Sequence, residues 1–278
     1  TFMINFSCLS QTTHKSWSRL YPVLLGSVFV LLLSACVIQP IQAPEGVDEP
    51  VTEEPADDMT ADPLEEAFRD AVVDAADAEP DEIVDTLTAL VPENEDLIWD
   101  EDGRLLVSTW TSWNGYDDIV GEDMELAVEI WVTAVPQTQI FCQNYAATED
   151  VSRDLRLEQL LGLPPHDGKN RFVEVWVHPD DLFRPSPDPE VDDTTVGLEV
   201  PSEDEFESAE DYEQHTEWYN YQTSISYDEQ NGYPWTRLGY TYDWGNPESE
   251  VGLSEFVVWA GSVIGVEEVY SNDEYCTP

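Results

Sequence analysis

Basic residues are scarce in this sequence. Of its 278 residues, 10 are Lys or Arg and 60 are Asp or Glu, which gives a formal net charge of −50 at pH 7. Because such a charge repels the phosphates of nucleic acids, DNA and RNA are excluded as expected partners. The acids are spread from Glu45 to Glu274, so we expect an acidic surface over the whole protein rather than one acidic tail.

The common sequence motifs of enzymes and metal sites are also missing. The chain has no G-x-S-x-G, no H-E-x-x-H, no glycine-rich phosphate-binding loop and no paired cysteines of a metal site. An acidic stretch at Asp100 has Ile98 and Thr109 where an EF-hand loop needs its first and last ligands. We therefore predict no cofactor and no metal site, and the sequence leaves open whether the chain is an enzyme.

The first 35 residues contain no acid, and Lys15 and Arg19 precede an apolar run over residues 20–33. This is the layout of a signal peptide, and the run is shorter than the roughly 20 residues that a membrane-spanning helix needs. The run ends in Leu-Ser-Ala followed by Cys36, which resembles the lipobox of bacterial lipoproteins.

The lipobox resemblance implies cleavage before Cys36 and attachment of lipid, palmitate included, to that cysteine. The expected partner is then the bilayer, with the chain anchored on the extracytoplasmic side of the cell envelope. Val37 follows the cysteine where many lipoproteins retained in the inner membrane have Asp, which favours the outer membrane in a Gram-negative host. The mature chain would have 243 residues with 60 acids and 8 basic residues, a net charge of −52.

Two cysteines, Cys142 and Cys276, remain in the mature chain once Cys8 leaves with the signal peptide and Cys36 carries the lipid. In an oxidising compartment the simplest expectation is a disulfide between them. A free catalytic thiol is the alternative, although no His or Asn lies close to either cysteine in sequence to suggest one.

The composition divides the chain into four parts: a signal peptide (1–35), the lipidated cysteine with a disordered acidic tether (36–60), a helical segment (61–92) and a globular domain (93–278). The tether has four prolines and no aromatic residue, so it lacks the apolar surface to fold. Apolar spacing predicts a hairpin of two helices, at residues 64–75 and 81–90. Strand and helix patterns then mix without regular alternation, which predicts an α+β domain with a mostly antiparallel sheet.

Two aromatic-rich stretches are candidate contact surfaces for a ligand. Flat rings beside polar loop residues suit stacking on a sugar or another planar ligand, so an envelope glycan or protein is the expected partner. The alternative is that these rings fill the core and that the arginine pairs with a carboxylate inside it. The candidate residues are Trp110, Trp113, Tyr116, Trp235, Arg237, Tyr240, Asp243 and Trp244.

The alternative to a binding module is an extracytoplasmic enzyme, either a glycan-active hydrolase or an NAD-consuming transferase. An arginine, a Ser-x-Ser element and a Glu-x-Glu element occur in that order, which resembles one class of ADP-ribosyltransferases. The resemblance implies that Arg171 binds NAD phosphates, Ser224 braces the pocket and Glu250 stabilises positive charge on the ribose. It requires these three residues to share one cleft.

Overall fold

The alternating apolar stretches of the chain form one antiparallel sheet of eight strands. The structure, a computed structural model, describes residues 62–228 and 230–278; the predicted signal peptide, Cys36 and the tether lie outside the described residues. The strands are β1 Leu105–Thr111, β2 Asp123–Glu125, β3 Ile130–Ala134, β4 Arg171–Val177, β5 Leu182–Phe183, β6 Tyr240–Tyr242, β7 Val251–Val258 and β8 Val263–Ser271. Their order is β2-β8-β4-β1-β3-β7-β5, with β6 also paired to β7.

Five helices accompany the sheet in the described part of the chain. They are α1 Pro63–Asp74, α2 Gln137–Asn144, α3 Arg153–Leu160, α4 Ala209–Ser226 and α5 Asn272–Tyr275. None of these helices is both long and apolar enough to cross a membrane. The predicted α+β class and the mostly antiparallel sheet are confirmed.

The helix starts follow local capping chemistry. The side chain of Asp62 accepts the amide hydrogen of Leu64, and a proline occupies the first turn of α1. The helix α4 begins after Ser208, whose hydroxyl accepts the amide hydrogen of Asp211. Ahead of α4, the amide and the hydroxyl of Ser202 donate to the carboxylate of Glu205 and close a short 3-10 turn.

The second predicted helix, at residues 81–90, is wrong. This segment is irregular, and its backbone amides at Leu87 and Leu90 donate to the carbonyls of Thr194 and Val191 instead of to its own earlier carbonyls. Both leucine side chains are buried. The apolar spacing therefore indicates only that these side chains contact the core. An irregular segment whose backbone bonds to residues 191 and 194 buries the same leucines as a helix would.

The two faces of the sheet differ in chemistry. One face is aliphatic and forms the main core, including Val107, Val132, Val175 and Phe256. The other face carries the helices and two aromatic clusters, one with Trp110 and Phe172 and one with Trp218 and Trp235. A disulfide between Cys142 in α2 and Cys276 after α5, with Cα atoms 5.2 Å apart, holds the C-terminus against the first of these clusters.

Four polar side chains form a row across the helical face of the sheet. The strand registers place Glu174 opposite Ser108, Ser108 opposite Thr133, and Thr133 opposite Glu255. All four are buried. We call these four residues the polar row.

Candidate functional site

An open groove lies between α1 and residues 227–228 and 230–233, and it has a cavity volume of about 590 Å³. Ligand sites in proteins commonly measure roughly 300 to 1,000 Å³. Phe68, Val72 and Val73 of α1 form one wall, and Tyr227 and Tyr233 form the other. Its lining is completed by Glu65, Arg69, Ala76, Pro164, Asp228, Gln230, Asn231 and Gly232.

Two large apolar side chains of the groove are exposed to solvent. Val73 is 75% exposed on α1, and Tyr233 is 46% exposed on the opposite wall. Val73 falls outside the apolar stripe that packs α1 on the domain, in which Phe68, Ala71 and Val72 are buried. The two side chains therefore offer apolar surface that the fold itself does not use.

Backbone hydrogen bonds hold the described residues of the wall opposite α1. The amide of Gly232 donates to the carbonyl of Asp228 (2.9 Å), and the amide of Tyr233 donates to the carbonyl of Ser226 (2.7 Å). A Cβ at position 232 would lie 2.5 Å from each of those carbonyl oxygens, so only glycine fits. These hydrogen bonds fix where Tyr233 meets the groove.

Three of the predicted contact residues brace the groove from behind. The Trp244 ring packs edge-to-face on Phe68, with centroids 6.0 Å apart, and its indole N–H donates to Leu163. The carbonyl of Trp235 accepts the hydroxyl hydrogen of Tyr227 (2.7 Å). Arg237 donates to the carbonyl of Ala76 at the end of α1 (2.7 Å). These three residues therefore support the walls of the groove, and the residues that they support form its surface.

Arg237 joins the two walls in a strained conformation. Its φ of 60° lies in the left-handed region that non-glycine residues rarely adopt. Its guanidinium lies 5.5 Å from the Tyr227 ring centroid while one nitrogen reaches the carbonyl of Ala76. The sequence alternative of pairing with a carboxylate is wrong for Arg237, because its partners are a carbonyl and an aromatic ring.

Asp243 and Tyr240 are structural residues. Both oxygens of Asp243 accept hydrogen bonds from Arg156 of α3, at 2.8 and 2.6 Å, and the pair is largely buried. Tyr240 is fully buried, and its hydroxyl donates to the carbonyl of Glu82. Both side chains are buried and their polar atoms have partners inside the fold, so the structure leaves neither of them open to a ligand.

The first aromatic stretch lies apart from the groove lining, at the end of β1 and in the loop that follows it. Trp110 is buried and stacks on Phe172, with its indole N–H donated to Asn272. Tyr116 is buried in the main core. Trp113 is 52% exposed. Of the three predicted contact residues in this stretch, only Trp113 presents its ring to solvent.

Acidic groups outnumber basic groups at the rim of the groove. Glu65 and Asp228 are the acidic residues of the described lining, and Arg69 is its one basic residue. The amides of Gln230 and Asn231 donate to Asp228 and hold the pKa of its carboxyl below the usual value, so it stays ionised. The rim thus continues the negative charge of the chain.

The three residues of the transferase resemblance do not share a cleft. Arg171 and Glu250 lie on opposite sides of the polar row. Arg171 is three residues from Glu174 toward one end of the sheet, and Glu250 is five residues from Glu255 toward the other end. Eight residues along the strands correspond to about 26 Å, with β1 and β3 also between them.

The local contacts of these residues also differ from a shared cleft. Arg171 is held by both oxygens of Asp117, each 2.6 Å away, and the exposed Ser224 donates to a carbonyl in its own helix. The expectation of an ADP-ribosyltransferase site at Arg171, Ser224 and Glu250 is wrong.

One group of carboxylates in the described residues has the spacing of metal ligands. Oxygens of Asp188, Glu190 and Asp193 all lie within 4.8 Å of one another. The fully buried guanidinium of Arg184 lies 3.5 Å from Asp193 and also donates to the carbonyls of Glu190 and Asp193. Arg184 thus supplies positive charge to this loop, and we assign the cluster a structural role.

Comparisons with protein-family models, with curated proteins and with solved structures find no match for this chain.

The wall of the groove formed by α1 was missed from the sequence. The available signal was Val73, an apolar residue that falls off the stripe formed by positions 64, 67, 68, 71, 72 and 75. The sequence does not predict that Phe68 lines the groove, because its position in the apolar stripe predicts only that it is buried.

Proposed function

We propose that this chain is a lipid-anchored binding protein of the extracytoplasmic side of a bacterial membrane, and that its groove binds a cationic amphipathic polypeptide segment. The carrying observation is the groove of about 590 Å³ in which Val73 and Tyr233 expose apolar surface from opposite walls. Burying one large apolar side chain stabilises a complex by about 1.5 to 3 kcal/mol before the costs of association.

The proposed location outside the cytoplasm is supported by the amino-terminal sequence and by the cysteines. The basic flank, the apolar run and the small residues before Cys36 together are typical of a processed lipoprotein. A disulfide such as Cys142–Cys276 persists in an oxidising compartment, which agrees with a location outside the cytoplasm.

The net charge of the whole chain and the charged residues at the rim of the groove both favour a cationic partner. A net charge of −50 over 278 residues attracts cations at long range and accelerates their association. At short range, Glu65 and the ionised Asp228 offer carboxylates beside the apolar walls. A segment that alternates apolar and basic side chains satisfies both the walls and the rim.

Binding is tested by titrating the full chain with a short amphipathic peptide of Leu and Lys, with the matching Leu and Glu peptide as control. We expect the lysine peptide to bind, more weakly as salt is added, and the glutamate peptide not to bind. Equal binding of both peptides, or binding of neither, would refute the proposal.

Variants of the exposed groove residues locate the binding. Val73→Asp and Tyr233→Ser should abolish most of the affinity, whereas Val128→Asp, at a valine that is 67% exposed and outside the groove lining, should not change it. Loss of affinity in the Val128 variant as well would mean that binding is nonspecific.

A variant of Arg69 distinguishes a cationic ligand from an anionic one. Arg69→Glu should strengthen binding of the lysine peptide, because it removes the positive charge at the rim. If a ligand carboxylate paired with this guanidinium, the same variant would weaken binding, and the assigned charge of the partner would be wrong.

The lipid anchor is tested separately in a bacterial host. Labelled palmitate should enter the full chain and be lost in Cys36→Ser, while Cys8→Ser keeps it because that cysteine leaves with the signal peptide. Label retained in Cys36→Ser would exclude the proposed anchor without affecting the groove.

A further inference from the structure

Trp113 holds an exposed indole in a fixed position. Its ring packs edge-to-face on the buried Tyr116, with centroids 4.7 Å apart and an interplanar angle of 82°. A Cβ at Gly115 would lie 2.0 Å from the indole, so the ring lies directly over this glycine and a larger residue there would displace it. The amide of Trp113 donates to the hydroxyl of Thr111 (3.0 Å). Despite these contacts, 52% of the residue remains exposed.

The loop that carries Trp113 is anchored at several points. Arg171 of β4 donates to both oxygens of Asp117, each at 2.6 Å. Farther along, the amide of Gly121 donates to the carbonyl of Val266 in β8 (2.7 Å). With Tyr116 also in the core, little conformational freedom remains to be lost when a ligand settles on the ring.

Planar polar groups lie on the loop beside the indole and at its anchor. Asn114 and Asp117 are exposed neighbours of Trp113 in the same loop, and Asn170 accepts a hydrogen bond from Arg171 (3.1 Å). The amide of Asn114 offers both donors and an acceptor, whereas both oxygens of Asp117 are already bonded to Arg171. A flat apolar ring flanked by such groups matches a pyranose, which has a face of C–H bonds and an edge of hydroxyls.

We propose that Trp113, with Asn114 next to it in the loop, forms a binding platform for a neutral polysaccharide. The sugar is neutral because a chain with a net charge of −50 repels uronates and phosphorylated glycans. The platform shares no residue with the groove lining, so this inference stands apart from the proposed function.

The test is calorimetric titration of the full chain with cellohexaose and with chitohexaose, both neutral, and with polygalacturonate as the anionic contrast. We expect binding of at least one neutral oligosaccharide, with affinity about tenfold or more weaker in Trp113→Ala. Trp113→Tyr keeps a flat ring and should retain part of the affinity. Absence of binding to both neutral sugars, or preference for polygalacturonate, would overturn the proposal.

A matched control is available on α4, where Tyr221 is 63% exposed. Tyr221→Ala removes an exposed aromatic ring of another surface and should leave sugar affinity unchanged. Equal loss in the Tyr221 and Trp113 variants, or full affinity in Trp113→Ala, would show that the indole of Trp113 is not the platform. Near-ultraviolet circular dichroism of each variant distinguishes a lost contact from a lost fold.

Discussion

Glu255 of β7 lies directly opposite Thr133 of β3 on the helical face of the sheet, and none of the ion pairs within the described part of the chain includes its carboxyl. One of its oxygens, Oε1, has no hydrogen-bond partner among the described residues. Burial raises the pKa of Glu255 to about 8, from the usual value of 4.5. The side chain is therefore neutral at pH 7, as an uncompensated group in this layer must be.

This arrangement predicts that stability falls as the pH rises. The folded state holds a proton that the unfolded chain releases above pH 4.5, so the contribution of Glu255 is fully present below that pH and is lost toward about pH 8. Within the window, the free energy of unfolding should fall by about 1.4 kcal/mol per pH unit from this residue. Urea unfolding of Glu255→Gln across the window should show a shallower dependence.

Glu174, at the other end of the polar row, provides the comparison. Burial, with the nearby Glu267 and Glu268, raises the pKa of Glu174 to about 7, so its contribution ends at a lower pH. Glu174→Gln should flatten the curve only up to about pH 7. If neither variant changes the slope, the carboxyls are hydrated and charged in the folded protein.

Loss of the disulfide should destabilise the fold strongly. The bond closes a loop with a sequence separation of 134 residues, for which the chain-entropy model gives on the order of 4 to 5 kcal/mol. The double variant Cys142→Ser with Cys276→Ser should therefore unfold at a much lower urea concentration. Peptide mapping without reductant should recover the two cysteines joined, and two free thiols would contradict the assigned bond.

The Arg156–Asp243 pair should be costly to break from either side. Because it is bidentate and largely buried, Arg156→Met or Asp243→Leu alone leaves an uncompensated charge, and we expect a loss of about 3 to 5 kcal/mol. The double variant should be less destabilised than the sum of the two single variants. Additive losses in urea unfolding would show that the two side chains are not coupled.

Arg237 should control the groove without touching a ligand. Arg237→Ala removes the hydrogen bond to Ala76 and keeps the left-handed backbone, so we expect a stability loss of about 1.5 to 3 kcal/mol and weaker binding of the lysine peptide. The control is Arg104→Ala, which removes an ion pair with Asp100 outside the groove. Unchanged peptide affinity in Arg237→Ala would show that the two walls hold their spacing without this arginine.

The local sequence determined the elements whose signal is local. Alternation at β4 and apolar spacing with a capping Asp at α1 depend on neighbouring residues, so both could be predicted from the chain alone. The strands β5 and β6, with two and three residues, carry too short a pattern to be read. The segment 81–90 was misread because apolar spacing records burial and does not record which backbone groups pair.

The site divides in the same way. Sequence alone determined that aromatic and polar residues concentrate in two stretches and that the chain is strongly acidic. Only the tertiary structure decided that Trp235 and Tyr240 are buried and Trp244 is half-buried, that Trp113 and Tyr233 face solvent, and that α1 supplies the opposite wall. The physical reason is that exposure of a ring depends on what packs over it, and those partners come from positions distant along the chain.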